Sequence, residues 1–209
     1  MEEVMRYYAI ACMARVGGTW LSELLHSTGL LGNPREYLHH QDAAARKRRQ
    51  GRIEKILKNN ASANGVSGLR VVPSDVQYVT DLDPSWIHLH RNDTLGQAIS
   101  MCRATEARQW RLNPGDKPVP WCEYSRDKVK GKLAIVERNA KNWSRVFGEL
   151  GVQPCRVAYE DLLANPRGQI HRIATHLNVD ITGCEIKSNL RIQRDDTTEL
   201  WRQRYLEGK

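Results

Sequence analysis

Short apolar runs alternate with stretches of helical periodicity along this chain, and the alternation sets the fold class before any single residue is weighed. Residues 8–13 (Tyr-Ala-Ile-Ala-Cys-Met) are a bulky apolar stretch of strand length. Residues 65–72 read as a second strand closed by Pro73, residues 85–90 as a third ending at Arg91, and residues 154–158 as a fourth. Between them, apolar positions recur at helical spacing over residues 19–25, 94–110, 129–150 and 167–177, and residues 43–59 carry a polar helical pattern. Asn92 or Asp93 can cap the helix after the third strand, Gly151 ends the long helix, and Pro166 suits the first turn of the last one. Short buried strands separated by helices predict an α/β fold. The expected architecture is a three-layer domain with a central, mainly parallel sheet, right-handed crossovers and flanking helices. Residues 112–121 hold Pro114, Gly115, Pro118 and Pro120, so they read as a loop, and the tryptophans at its flanks, Trp110 and Trp121, are candidates to line a cleft. No repeat and no linker divides the chain, so residues 1–209 read as a single domain.

Composition narrows the class. The apolar runs fall well short of the roughly 20 residues that a membrane-spanning helix needs. The first six residues have neither the charge pattern nor the apolar length of a secretory signal. Five cysteines, far apart and without a C-x-x-C pair, predict buried, inert, reduced thiols in a cytoplasmic protein rather than disulfides or a zinc site. The formal charge of +8 points to an anionic partner. The densest basic run, Arg46-Lys47-Arg48-Arg49, lies in the polar helical pattern and reads as a solvated face. No nucleic-acid module is recognisable, although charge alone leaves nucleic acid and a small polyanion both open.

The chemistry concentrates where the first strand turns into the first helix. The turn carries Arg15, Gly17 and Gly18, and a strand, glycine turn and helix in that order aim backbone N–H groups at an anion, commonly a phosphate. Laid on the triphosphate loop G-x-x-x-x-G-K-[ST], Gly17-Gly18-Thr19 puts Cys12 in place of the first glycine and Gly18 in place of the lysine, which speaks against a kinase or ATPase. The dinucleotide pattern G-x-G-x-x-G is absent as well. Arg91 stands at the carboxyl end of the third strand, where open α/β sheets bind ligands, and a guanidinium there can fork onto a phosphate. Ser100 adds a hydroxyl if the following helix passes back over the same group. His88 and His90 share one face of that strand and read as packed side chains.

With these residues in place, the chain resembles the sulfotransferases that use 3′-phosphoadenosine 5′-phosphosulfate, whose fold is P-loop-like. Residues 14–21 (Ala-Arg-Val-Gly-Gly-Thr-Trp-Leu) are similar to the family's 5′-phosphosulfate loop, Arg91 with Ser100 to its 3′-phosphate pair, and Val157 through Pro166 to its V-x-Y-E-D-L-x-x-N-P segment. The nearest likeness is to the bacterial trehalose 2-sulfotransferase type. It is carried by Leu24-Leu25, Thr28-Gly29, Gly32, Pro34 and Glu36-Tyr37, by His90 through Ser100, and by a tail with Gln193, Asp195, Thr198, Trp201, Arg204 and Tyr205.

The resemblance implies a donor site of Arg15, Val16, Gly17, Gly18, Thr19, Trp20, Arg91, Ser100, Gln193 and Asp195. It also implies Glu36 as general base, with His39 or His40 next in line, and Arg15 as the group that stabilises charge on the leaving phosphate. The implied acceptor is a hydroxyl of a carbohydrate or glycolipid-like molecule, with no metal and no nucleic acid involved. That type forms dimers, so a homodimer is implied too. Val16 and Gly18 depart from the family, which usually has hydroxyl residues there; each lost hydrogen bond to a charged acceptor costs about 1.5–3 kcal/mol. That departure keeps a second expectation open, a protein that binds the nucleotide with weakened chemistry, and the charge keeps a third, a basic polyanion-binding domain.

Overall fold

The computed structural model describes residues 5–39, 43–110, 115–117, 122–190 and 196–209. β1 (Arg6–Ala11) lies between β2 (Val66–Val71) and β3 (Ser85–His90), and β4 (Cys155–Ala158) extends the sheet beyond β3. Every pairing is parallel, so the four strands, in the order β2-β1-β3-β4, form the predicted parallel sheet.

Alternation along the strands divides the core into two layers. Tyr8 and Ile10 of β1 with Ile87 and Leu89 of β3 face α1 (Gly18–Ser27) and α7 (Pro166–His176), which bury Leu21, Leu25, Ile170 and Ile173 against them. Ala9 and Ala11 with Leu69 and Trp86 face the other way. There they meet Ile53 and Leu57 of α3 (Ile53–Lys58) and Trp143 and Phe147 of α5 (Arg126–Leu150). One close approach shapes the first layer. Tyr8 is the register partner of Gly68, and a Cβ at residue 68 would stand 2.1 Å from the Tyr8 ring. The bare glycine lets the ring lie across β2 and the Tyr8 hydroxyl donate to the Leu31 carbonyl at 2.6 Å.

The second layer holds a titratable group. The His88 ring lies 5.2 Å from that of Phe147 and 5.2 Å from that of His90, with Trp143 at 6.3 Å. Burial, then the charges of His90 and Arg156, pull its pKa down from 6.5 to about 4. A group with a lowered folded-state pKa binds its proton more readily when unfolded, so stability falls as pH drops from about 6.5 towards 4. The loss should reach about 2–3 kcal/mol. Urea unfolding at neutral pH and near pH 4 will show it, and His88→Phe should flatten the slope by that amount; an unchanged slope would place the acid sensitivity elsewhere.

Several boundaries differ from the sequence expectation. The polar helix of residues 43–59 is two helices, α2 (Ala43–Gln50) and α3, interrupted at Gly51 and Arg52. Lys47, Arg48 and Arg49 are exposed, as a solvated face requires, whereas Ile53 and Leu57 turn inward. α4 (Thr94–Ala107) ends where Arg108 takes a left-handed φ of 52°, and α5 begins at Arg126 behind the Ser125 cap. Two helices, α6 (Tyr159–Ala164) and α8 (Asp196–Leu206), escaped the periodicity altogether. α8 buries Trp201 beside Ile99 and Cys102 of α4 and Val129 of α5, and the Tyr124 ring meets Trp201 edge-on at 5.5 Å.

All five cysteines are free thiols. Burial pushes Cys12 up to about 12, against the opposing pull of Arg70, so that thiol is inert near neutrality. Among the described residues, no helix is long and apolar enough to cross a membrane.

Candidate functional site

The strand order itself locates the site. From β1 the chain passes outward to β2, then returns across β1 to β3, so the connections leave β1 and β3 in opposite directions. Open α/β sheets bind ligands in the crevice such a switch opens at the carboxyl ends of the strands. The Arg15 loop follows β1 and the Arg91 turn follows β3, and the two flank that crevice.

The loop is tightly specified. Gly17 caps α1 with a φ of 85°, and a Cβ there would stand 2.7 Å from the Tyr159 ring, so glycine is required both by conformation and by space. Arg15 also adopts a left-handed φ, 67°, at a cost of about 1–2 kcal/mol for a residue with a side chain. That conformation sends its guanidinium across to α4. Nε donates to Ser100 Oγ at 2.9 Å and Nη1 to the Trp110 carbonyl at 2.6 Å. Gln97 Nε2 ties α4 to the loop a second time, through the Ala14 carbonyl at 2.9 Å.

Val16 and Gly18 now have structural reasons. Val16 is 2 % exposed and belongs to the core beneath the loop. At Gly18, a Cβ would sit 3.0 Å from Arg70 Nη1 and 3.3 Å from its Cδ, so the Arg70 side chain fills the space that a larger residue would need.

The turn after β3 is held from two sides. Glu160 accepts the backbone N–H groups of Asn92 and Asp93, both at 3.1 Å. Asp93 caps α4 by accepting from the Gly96 N–H at 2.9 Å, and its other oxygen receives Arg202 Nη2 of α8 at 2.5 Å. Burial alone would raise the Asp93 carboxyl, but the bonds from Arg202 and Gly96 and the charges of Arg202 and Arg91 outweigh it and hold it low. Arg91, 10 % exposed, lies 5.0 Å over the Tyr159 ring, with Nη2 3.3 Å from Asp93 and Nε 3.9 Å from Glu160. Tyr159 in turn meets Trp20 edge-on at 6.4 Å.

Electrostatics joins the two sides. Burial, then the positive charge of Arg91, pulls the Arg15 guanidinium below its ordinary range, with Arg103 adding to the effect and Tyr159 opposing it. Arg103 is anchored by donating to Thr198 Oγ1 of α8 at 2.7 Å. Arginines gathered around a hydroxyl concentrate positive charge, an arrangement chemically suited to a multivalent anion.

Of the residues the sequence singled out, Arg15 and Ser100 are in direct contact, and Arg91 is close enough for its charge to act on Arg15. Thr19 and Glu36 are linked through Arg70, whose Nη1 lies 3.1 Å from Thr19 Oγ1 and 3.2 Å from Glu36 Oε1. The Glu36 side chain is 49 % exposed, and the neighbouring His39 donates its amide to the Glu36 carbonyl at 3.2 Å. Gln193, Asp195, His40 and Trp121 lie outside the described residues. Sequence reading missed Arg70, although an arginine near the carboxyl end of a strand is the signal that exposed Arg91. It also left Tyr159 and Glu160 as motif letters without a task.

Comparison with known proteins covers much of this arrangement. Residues 72–208 match the family described as Stf0 sulphotransferase, a stretch that contains Arg91, Ser100, Tyr159 and Glu160. Trehalose 2-sulfotransferase of Mycolicibacterium smegmatis is 29% identical over 132 residues, covering 63% of this chain and 49% of that protein. Trehalose 2-sulfotransferase of Mycobacterium tuberculosis is 32% identical over 102 residues, covering 47% of this chain and 36% of that protein. The match thus spans half or less of the length of these curated relatives. Among solved structures, the sulfotransferase domain from the curacin biosynthetic pathway is similar with a TM-score of 0.59 at 13% identity, over 86% of this chain and 76% of that one. At that identity the likeness speaks for the fold.

Proposed function

This chain belongs to the Stf0 sulphotransferase family, and from that membership we propose that it moves a sulfuryl group from 3′-phosphoadenosine 5′-phosphosulfate to a hydroxyl of a carbohydrate or glycolipid-like acceptor. The observation that carries the proposal is the contact of Arg15 with Ser100 beside Arg91 at the mouth of the sheet's switch point. A donor that carries both a phosphate and a phosphosulfate answers the positive charge of neighbouring arginines at the carboxyl ends of β1 and β3.

The chemistry follows from the parts. The acceptor oxygen attacks sulfur, the bond from sulfur to the bridging phosphate oxygen breaks, and adenosine 3′,5′-bisphosphate leaves with the electron pair. Glu36, half exposed beside the loop, takes the proton of the attacking hydroxyl. The N-terminus of α1 and Arg15 face the growing negative charge of the leaving phosphate. Arg91 and Ser100 hold the 3′-phosphate. A sugar acceptor is supported by the names of the two curated relatives.

The second reading, a nucleotide binder with weakened chemistry, is favoured by the same two positions: Val16 is committed to the core and Gly18 to the space that Arg70 fills, so neither offers the donor a hydroxyl. Two measurements test the proposal. At 100 times its dissociation constant, adenosine 3′,5′-bisphosphate should stabilise the protein by about 2.7 kcal/mol, visible as a rise in melting temperature. Labelled sulfate should then pass to members of a panel of sugars and glycolipids. No stabilisation would sink the nucleotide site, and stabilisation without transfer to any acceptor would leave a binder.

A further inference from the structure

We infer that Arg70 is a second cation of the donor loop, supplied from β2 beside the loop's own Arg15, and that it binds the 5′-phosphosulfate end of the donor. The inference rests on the sulfuryl-transfer reading above and assigns a further residue to the same site.

Three observations converge on it. Gly18 occupies the position of the lysine in a triphosphate-binding loop, and the space its missing side chain leaves is filled by the Arg70 guanidinium, 3.0 Å from where that Cβ would be. The same guanidinium touches Thr19, the loop hydroxyl at the start of α1, at 3.1 Å. Charge and hydroxyl therefore stand in the relation of the lysine and threonine of such a loop, with the charge arriving from the neighbouring strand. Register makes this possible, since Arg70 pairs with Ile10 next to the carboxyl end of β1.

The cost of burial points the same way. Arg70 is 7 % exposed, and its buried Nε has no hydrogen-bond partner among the described residues. The carboxylate it pairs with, Glu36, is itself half exposed. A guanidinium so far from water calls for more anionic contact than one solvated carboxylate offers. A phosphosulfate at the loop would supply it.

The ion pair with Glu36 adds a geometric consequence. Arg35 bridges Leu69 as a one-residue extension at the edge of the sheet, and Arg70 donates its amide to the Arg35 carbonyl at 2.9 Å. Glu36 is thereby carried over the end of β2, within reach of the side chain that touches the loop. One guanidinium spans the group that accepts the proton and the loop that holds the sulfuryl donor.

The test separates the two ends of the nucleotide. Calorimetry would measure adenosine 3′,5′-bisphosphate and adenosine 3′-monophosphate against the wild type, Arg70→Gln and Arg70→Lys. Arg70→Gln should weaken the bisphosphate about 10–100-fold and leave the 3′-monophosphate unchanged, and Arg70→Lys should keep the bisphosphate within about tenfold of wild type. Equal weakening of both ligands by Arg70→Gln would mean that the arginine only supports the fold. Unchanged bisphosphate affinity would show that it does not touch the donor. Either result overturns the inference while leaving the transferase reading standing. A wild type that binds neither ligand overturns that reading and the inference together.

Discussion

Glu36→Gln is expected to lower turnover by about 10²–10⁴-fold while donor affinity stays within a few-fold of wild type. The glutamine keeps the length and shape of the side chain and still offers an oxygen to Arg70, so the 3.2 Å contact and the path of the edge segment can survive. What it loses is the capacity to accept a proton from the attacking hydroxyl. A carboxylate 49 % exposed is open to an incoming acceptor and needs no rearrangement of the core to act. The split between kcat and nucleotide affinity is therefore the informative readout. Retained turnover would remove Glu36 from the mechanism and move attention to His39, which lies exposed three residues on. A parallel collapse of turnover and donor affinity would mean instead that the carboxylate acts by holding Arg70 in place.

The parts of this site that local pattern reveals differ in kind from the parts it hides. The β1 strand, the glycine turn and α1 were legible because each is encoded within a few neighbouring residues, as was the choice of Asp93 or Asn92 as cap for α4. Arg91 was legible for the same reason, as the residue closing an apolar strand. Arg70 lies one residue inside the end of its strand, and its meaning depends on β2 lying beside β1 with Arg70 opposite Ile10, a register that no window of sequence contains. Glu160 is hidden more deeply, since it secures the amides of Asn92 and Asp93 from 68 and 67 residues away.

Ser100 shows a further gap. The expected pairing was with Arg91 around a phosphate, and the direct partner in the structure is Arg15, brought across by a left-handed turn that side-chain chemistry does not announce. α8 escaped because its amphipathic signal is weak: it buries Trp201 and Thr198 while leaving Leu200 and Leu206 more than half exposed. The break between α2 and α3 was missed for the opposite reason, a continuous polar pattern that masks the change from a solvated helix to one with a buried face at Ile53 and Leu57.

Arg91→Ala should weaken adenosine 3′,5′-bisphosphate by about 10²–10⁴-fold, since two charge-assisted hydrogen bonds at about 1.5–3 kcal/mol each would go with the guanidinium. Its effect should mirror that of Arg70. In the Arg91 variant the bisphosphate and adenosine 5′-monophosphate should bind alike, because the advantage of carrying a 3′-phosphate would be gone. Arg91→Lys should recover little of the loss. The guanidinium lies over the Tyr159 ring at 5.0 Å while its nitrogens face Asp93 and Glu160, and an ammonium can copy neither the planar stacking nor the fork. Full recovery by lysine would show that only a point charge is needed and would cancel the bidentate role. Equal weakening of the bisphosphate and the 5′-monophosphate would show that Arg91 braces the turn between Glu160 and Asp93 without reading the phosphate. The nucleotide would then be fixed from the Arg15 and Ser100 side alone, and Ser100→Ala would become the variant with the larger effect.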